Sequence, residues 1–328
     1  SNDDAACLRR VRELFSAHVE GREPSLELLA ELHRGPFAQA RDLPEATAIS
    51  GLDQAIHDLV ARRRGVPVWR LYADRPVRTE VPCYLSTNRA LRRRTPADFV
   101  AVTEAALALG VRAVKVTPFE AVTPTGDQLA QCEEGFARLA AVRAAHAGIS
   151  LRVDCHERFT PEVAMRLLPR FAALGLTWLE EPCPAGPALA ELRRRAAMPI
   201  AAGELFFGPE RFRALLEGRQ ADVIMPDPKH VGGFGPLLGV CRMAEALGGE
   251  VSPHNPSGPI ATLATVHAAA AARAVTSAEL ILTSDPGRQP GRDLLRDGKL
   301  RIPEGPGWGL DLSGLSAATG ARFAELRT

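Results

Sequence analysis

Four acids close successive apolar runs: Asp154 in Val153-Asp154-Cys155-His156, Glu180 in Leu179-Glu180-Glu181-Pro182, Glu204 after Ala202-Gly203, and Asp227 after Met225-Pro226. If these runs are neighbouring parallel strands, Asp154, Glu180 and Glu204 meet at one place. Like charges so close ionise together only when a cation compensates them. Ligands that are all oxygen favour a hard ion, Mg²⁺ first. One acid at a strand end serves equally well to cap a helix or hold an arginine, so the succession of three is what points to metal. Lys115 lies between Val114 and Val116 and faces away from both. It reads as a substrate-binding ammonium, placed to neutralise a carboxylate whose other oxygen lies on the metal; the plainer alternative is a lysine stem covering apolar surface. His254, in Ser252-Pro253-His254-Asn255-Pro256, falls beside Asp227. A carboxylate next to an imidazole raises its basicity and fixes its tautomer, which suits proton abstraction. His156, two residues past Asp154, is the second candidate acid or base. His18, His33, His57, His146 and His267 sit within or at the ends of helical patterns and read as structural.

Such residues need a scaffold that brings strand ends together. From about residue 80 the sequence alternates short apolar runs with longer amphipathic ones, the pattern of a parallel sheet with crossover helices. The predicted strands are 81–85, 113–117, 151–155, 177–180, 200–205, 222–226, 250–253 and 278–282. Predicted helices at 96–109, 128–145, 161–174, 209–217, 234–247 and 260–273 lie between them, several opening on Pro and closing on Gly. This is the α/β class and a closed barrel, whose reactive residues gather where the βα loops converge. Residues 1–79 read as a mostly helical capping domain (5–18, 26–33, 46–64), residues 80–299 as the barrel, and residues 300–328, rich in Pro and Gly, as a return to the cap.

Composition narrows the partners. Net charge is +1, and the runs at Arg62–Arg64, Arg92–Arg94 and Arg193–Arg195 lie within or beside predicted helices, so they read as solvated faces and imply no nucleic acid. The six cysteines are scattered without C-x-x-C spacing, as in a reduced cytoplasmic protein. No apolar stretch approaches the ~20 residues of a membrane span.

Taken in order, these segments resemble the enolase superfamily, and within it the mandelate racemase subgroup with its acid-sugar dehydratases. The resemblance is carried by Ala48 to Leu59, Val114-Lys115-Val116, Val153-Asp154, Trp178-Leu179-Glu180-Glu181-Pro182, Ala202-Gly203-Glu204, Met225-Pro226-Asp227 through Gly232-Gly233, and Pro253-His254-Asn255-Pro256. It implies a modified TIM barrel, (β/α)₇β, under an α+β capping domain whose first strands would precede Leu8. It also implies Mg²⁺ on Asp154, Glu180 and Glu204, His254 with Asp227 as the catalytic pair, a small-molecule carboxylate (a sugar acid) as substrate, and a homo-oligomer. Where the family often reads Lys-x-Lys, this chain has Lys115-Val116-Thr117. A racemase needs a base on each face of the α-carbon, so Thr117 favours a reaction with one base. Asp154-Cys155-His156-Glu157-Arg158 resembles the galactonate- and mannonate-type dehydratases, which implies that His156 protonates the departing hydroxyl while His254 removes the α-proton, giving a 2-keto-3-deoxy acid. The strand-eight acid of the family falls either to Glu279, which sits early in the alternation, or is replaced by Leu282. Two other readings stand beside this one: a racemase, epimerase or cycloisomerase on the same fold, for which Lys229 is the residue to examine, and a non-catalytic relative that binds metal with an acid or a partner protein.

Overall fold

The computed structural model describes residues 4–284 and 291–310. Three helices come first: α1 (Asp4–His18), α2 (Leu26–Arg34) and α3 (Leu43–Arg63). Ser25 and Asp42 start the second and third by accepting from the backbone N–H groups of Leu28 and Glu45, which would otherwise lack partners. Leu14, Leu28, Leu32, Ile49, Leu52 and Ile56 form their shared apolar core.

The barrel follows as β1 (Glu80–Ser86), α4 (Pro96–Ala108), β2 (Ala113–Val116), α5 (Gln128–Gln131), α6 (Glu133–Ala145), β3 (Ser150–Asp154), α7 (Pro161–Ala173), β4 (Trp178–Glu180), α8 (Pro187–Arg195), β5 (Ile200–Ala202), α9 (Glu210–Glu217), β6 (Val223–Ile224), α10 (Pro228–Val231), α11 (Phe234–Leu247), β7 (Glu250–Val251), α12 (Pro259–Ala271) and β8 (Ala278–Ile281). Strands β1 to β7 pair in parallel with their sequence neighbours, and β8 pairs in parallel with β1. Closure between β7 and β8 runs through a single bridge, Val251 with Val275. Seven strand-plus-helix units and a final strand give the modified TIM barrel. All eight expected strands are present, most of them shorter than expected. The helix expected at 128–145 is interrupted at Cys132, and α8, whose buried apolar residues are only Leu189 and Leu192, was not among the expected helices.

Alternation sorts each strand's residues into two layers. Val114, Val116, Leu151, Val153, Leu179, Ile200, Ile224 and Leu280 pack outward against the helices. Tyr84, Trp178, Ala201, Val223 and Met225 fill the interior. A hairpin, β9 (Leu295–Arg296) and β10 (Lys299–Arg301), adds antiparallel to the start of β1. The chain then returns to α3, where Trp308 donates its backbone N–H to Asp58 and its indole N–H to the Gln54 carbonyl. Residues 311–328 of the expected return lie outside the described residues.

Candidate active site at the carboxyl ends of the strands

The parallel register sets Asp154 beside Glu180, and Lys115 beside Arg152 on one side and Ser86 on the other. Lys115 points inward and is 2% exposed. Its ammonium lies 2.6 Å from Glu180 Oε1, 3.1 Å from Glu279 Oε1 and 3.8 Å from Asp154 Oδ2. Burial disfavours the charge, but Glu180 and Glu279 outweigh burial and hold the lysine well above its ordinary range. Two like charges about 4 Å apart repel by about 4 kcal/mol at an effective dielectric of 20, so one ammonium among three carboxylates makes the cluster tolerable. Lys115 therefore meets the carboxylates directly.

Glu279 was one of two positions left open by the sequence. It faces inward because Ala278 and Leu280 on either side belong to the outer layer, as does Leu282. Besides Lys115 it accepts the Asn255 N–H at 2.9 Å.

Glu204 follows Gly203, whose φ of +110° turns the chain off β5. Glu181 secures this turn by accepting the N–H groups of Gly203 and Glu204 at 3.0 and 3.3 Å. Burial and then Glu204 push the Glu181 carboxyl up to about 8. His156, Glu157 and Glu181, within three residues of the strand-end acids Asp154 and Glu180, all have left-handed φ values of 40–54°. Such backbone costs about 1–3 kcal/mol per residue and tends to gather at functional sites. His156 places Nε2 2.9 Å from Asp154 Oδ2, and Asp154 Oδ1 accepts the His156 N–H. Burial opposes a charge on this imidazole, but the hydrogen bond to Asp154 raises its pKa above the ordinary value.

At the far side of the mouth, Asp227 caps α10 by accepting the Lys229 N–H at 2.7 Å and takes the Nδ1 of His254 at 3.0 Å. With Nδ1–H donated to Asp227, Nε2 is the His254 nitrogen that gains or loses the exchangeable proton. That nitrogen lies 3.2 Å from Glu204 Oε2, a buried oxygen that accepts no hydrogen bond among the described residues. Lys115, Asp154, His156, His254 and Glu279 line one cleft of about 140 Å³ together with Thr117.

Of the expected ligand trio, Asp154 and Glu204 lie in one close group. Ligand atoms of Asp154, His156 and Glu204 lie within 4.8 Å of one another. Glu180 is engaged instead, by Lys115 at one oxygen and by the Trp178 indole N–H, 3.1 Å from the other. The unsatisfied Glu204 oxygen and the carboxylate donors beside it fit a divalent ion. Asp227, His230 and His254 form a second close group, but both imidazoles already hydrogen-bond, one to the Glu204 carbonyl and one to Asp227.

Two residues here escaped the sequence reading: Glu181, visible only as the second member of a Glu-Glu pair, and His230, three residues past Asp227, whose ring ties the β6 turn to Glu204 and packs on His254. Arg94 also departs from expectation. Instead of lying on a solvated helix face it turns inward from the loop before α4, hydrogen-bonding Asn88 at 2.6 Å and Thr117 and lying 3.3 Å from Glu120. Lys229 lines a neighbouring cavity outside the cleft.

A family profile described as enolase C-terminal domain-like matches residues 98–316. The D-galactonate dehydratase of Ralstonia pickettii (strain 12J) is 30% identical over 321 residues, 92% of this chain and 81% of the relative. The D-galactonate dehydratase of Ralstonia nicotianae is 31% identical over 264 residues, 78% of this chain and 66% of the relative. The D-gluconate dehydratase of Thermoproteus tenax is 31% identical over 315 residues, 92% of this chain and 61% of the relative. Among solved structures, a mandelate racemase/muconate lactonizing enzyme-like protein from Rubrobacter xylanophilus DSM 9941 superposes with a TM-score of 0.86 at 28% identity, over 98% of this chain and 89% of that one. A mandelate racemase/muconate lactonizing enzyme from Sulfitobacter sp. gives 0.84 at 25% identity, over 100% and 86%. With its strand-end acids on a barrel of this kind, the chain belongs to the enolase superfamily.

Proposed function

We propose that this chain is a Mg²⁺-dependent dehydratase of a sugar acid, producing a 2-keto-3-deoxy acid. The observation that carries the reading is His254: its Nδ1 is fixed by Asp227 and its Nε2 faces Glu204 at the cleft where Lys115, Asp154, His156 and Glu279 meet. Bound by Asp154, Glu204 and Glu180, Mg²⁺ would supply the positive charge that makes a proton beside a carboxylate more acidic. Lys115 would neutralise the substrate carboxylate. His254 would take the α-proton on Nε2, and Glu279 would face the oxygen where charge develops. His156 would give a proton to the hydroxyl that departs from the next carbon.

Burial lowers the basicity of His254, but Glu204 and Asp227 outweigh it and push the imidazole up to about 10. Cation binding at Glu204 withdraws part of that push and brings His254 toward the range where it can serve as a base near neutrality. Thr117 offers only a hydroxyl where a second base would stand, which favours elimination over racemisation. The dehydratase names of the relatives agree with this reading. We place the chain in the cytoplasm, where its six cysteines, all free thiols, would stay reduced, and expect it to act as a homo-oligomer. No helix among the described residues is long and apolar enough to cross a membrane.

The test is incubation of the protein with Mg²⁺ and a panel of sugar acids in D₂O, with semicarbazide detection of keto acid. Keto acid from at least one sugar acid, lost on chelation and restored by Mg²⁺, supports dehydration. Exchange of the α-proton without loss of water would move the assignment to an epimerase, and neither exchange nor product would leave a non-catalytic binder.

A further inference from the structure

Arg89 lies on the single 3₁₀ turn Asn88–Ala90 that follows β1. Thr87 ties this turn to the end of β2, donating its N–H and its hydroxyl to the Lys115 carbonyl at 3.0 and 3.1 Å. Arg89 lines the reaction cleft together with Lys115, His254 and Glu279. It also lines an adjoining cavity of about 360 Å³ that shares Pro256 and Ile281 with the cleft, so the two spaces are neighbours. In the adjoining cavity Arg89 is the only charged lining residue among the described residues. Further in, the charge of Lys115 is balanced by Glu180 and Glu279. Arg94 on the same loop is likewise matched, by Glu120. Arg89 makes no hydrogen bond or ion pair among the described residues. An unmatched arginine on open surface is ordinary, but one that lines both the cleft of the reacting groups and the space adjoining it faces the part of a bound molecule that extends past those groups.

We propose that Arg89 binds an anionic group at the substrate end remote from the reacting carbon, so that the preferred substrate is a sugar acid carrying a second negative charge there. This rests on the sugar-acid reading and narrows it. A guanidinium takes a carboxylate or a phosphate through two parallel N–H···O contacts, and both sources share this chemistry. A monoacid leaves the arginine unmatched.

The experiment compares three acids of one configuration, an aldonate, the corresponding aldarate and the aldonate phosphorylated at its far end, on wild type, Arg89→Ala and Arg89→Lys with Mg²⁺. Wild type is expected to favour one dianionic acid in kcat/KM, and the two arms tell carboxylate from phosphate. Arg89→Ala should cut the ratio of that acid to the aldonate by about 10- to 100-fold, mainly through KM, and Arg89→Lys should restore part of it. A ratio that stays within about threefold, or a wild type that prefers the aldonate, overturns the proposal. If no acid is turned over, the dehydratase reading fails by itself, and binding decides on Arg89. A Kd for the dianionic acid at least about tenfold weaker in Arg89→Ala, with wild type binding the aldonate more weakly than the dianion, supports the assignment, and equal affinities sink it.

Discussion

Asp53 on α3 and Asp227 after β6 are both fully buried carboxylates in contact with imidazole. Around Asp53 every polar direction is taken. Its Oδ1 accepts the N–H groups of Phe234 and Gly235 at 2.6 and 3.4 Å, and its Oδ2 meets His33 Nε2 at 2.9 Å. His57 is fully used as well, with Nδ1 on the Asp53 carbonyl at 2.8 Å and Nε2 on the Tyr72 hydroxyl at 2.6 Å. Gly233 gives α11 no side-chain cap, so a carboxylate from the helical region supplies the negative charge that the start of this barrel helix favours. Around Asp227 the same residue types leave capacity open: Glu204 Oε2 and His230 Nε2 have no hydrogen-bond partner among the described residues, and His254 Nε2 faces that Glu204 oxygen at 3.2 Å. Asp53 borders the larger cavity, about 710 Å³ against 140 Å³. Neither burial, cavity size nor carboxylate–imidazole contact therefore singles out the proposed catalytic cluster from the one around Asp53; unspent hydrogen-bonding capacity does.

The sharpest way to break this contrast is to remove each cluster's key group. His254→Asn should lower kcat on the best sugar acid by about 10³-fold or more while leaving the urea midpoint close to wild type, since general-base catalysis typically contributes 10²–10⁴-fold. Steady-state kinetics and a denaturation curve on one preparation check both halves. Asp53→Asn should do the reverse, costing about 3–5 kcal/mol of stability by breaking a buried charged network, with a much smaller change in kcat at a temperature where the variant is folded. Gly233→Ala should show the same pattern, because its φ is +113° and a Cβ there would overlap the Asp53 carboxylate. A loss of activity in Asp53→Asn as large as in His254→Asn would erase the distinction.

Much of this contrast was legible in the sequence, though unevenly. Alternation around Asp154, Glu180 and Lys115 placed those side chains inside the barrel because a strand's period is fixed at two. Strand ends were harder. The run 200–205 stops pairing at Ala202 because Gly203 turns away, and 222–226 pairs only at Val223–Ile224, with Pro226 bringing no N–H to a ladder. The choice between Glu279 and Leu282 needed the pairing of β8 with β1, which sets Glu279 beside Tyr84. His33 and His57 read correctly as residues of helices, but the carboxylate they surround shows its task only once α3 meets α11. That contact joins residues 181 positions apart. His230 was hidden for a related reason, since its inward direction depends on the short turn of α10 between the Asp227 cap and Gly232 at φ +105°.

A third buried imidazole sharpens the comparison from the other side. Among the described residues His267 has no carboxylate partner; it receives the Trp69 N–H at 3.2 Å and faces the Trp308 carbonyl at 3.4 Å. Burial pushes it down to about 4, whereas His254, buried beside two carboxylates, is pushed up. An unfolded histidine titrates near 6.5, so below that pH the unfolded chain binds the proton first. The contribution of His267 is then fully present above about pH 6.5 and is lost as pH falls toward about 4, on the order of 3 kcal/mol in all. Denaturation midpoints measured at steps across that window should fall less steeply with acid in His267→Gln than in wild type. Equal slopes would show that the contrast with His254 has no thermodynamic counterpart.

The smallest expected effect separates shape from charge at the mouth. Glu181 holds the turn that carries Glu204 through two backbone N–H groups, and its carboxyl is pushed up to about 8, first by burial and then by Glu204. A group that is largely protonated near neutrality does its work there as an acceptor, which a neutral amide oxygen can replace. Glu181→Gln should therefore keep kcat within about threefold of wild type, while Glu181→Ala, which leaves two buried N–H groups without their acceptor, should lose about tenfold or more and weaken metal binding in titration calorimetry. If Gln fails as badly as Ala, the charge of Glu181 matters as well as its geometry, and the mouth must be counted as holding one more working carboxylate than His254, Asp227 and the metal-facing acids require.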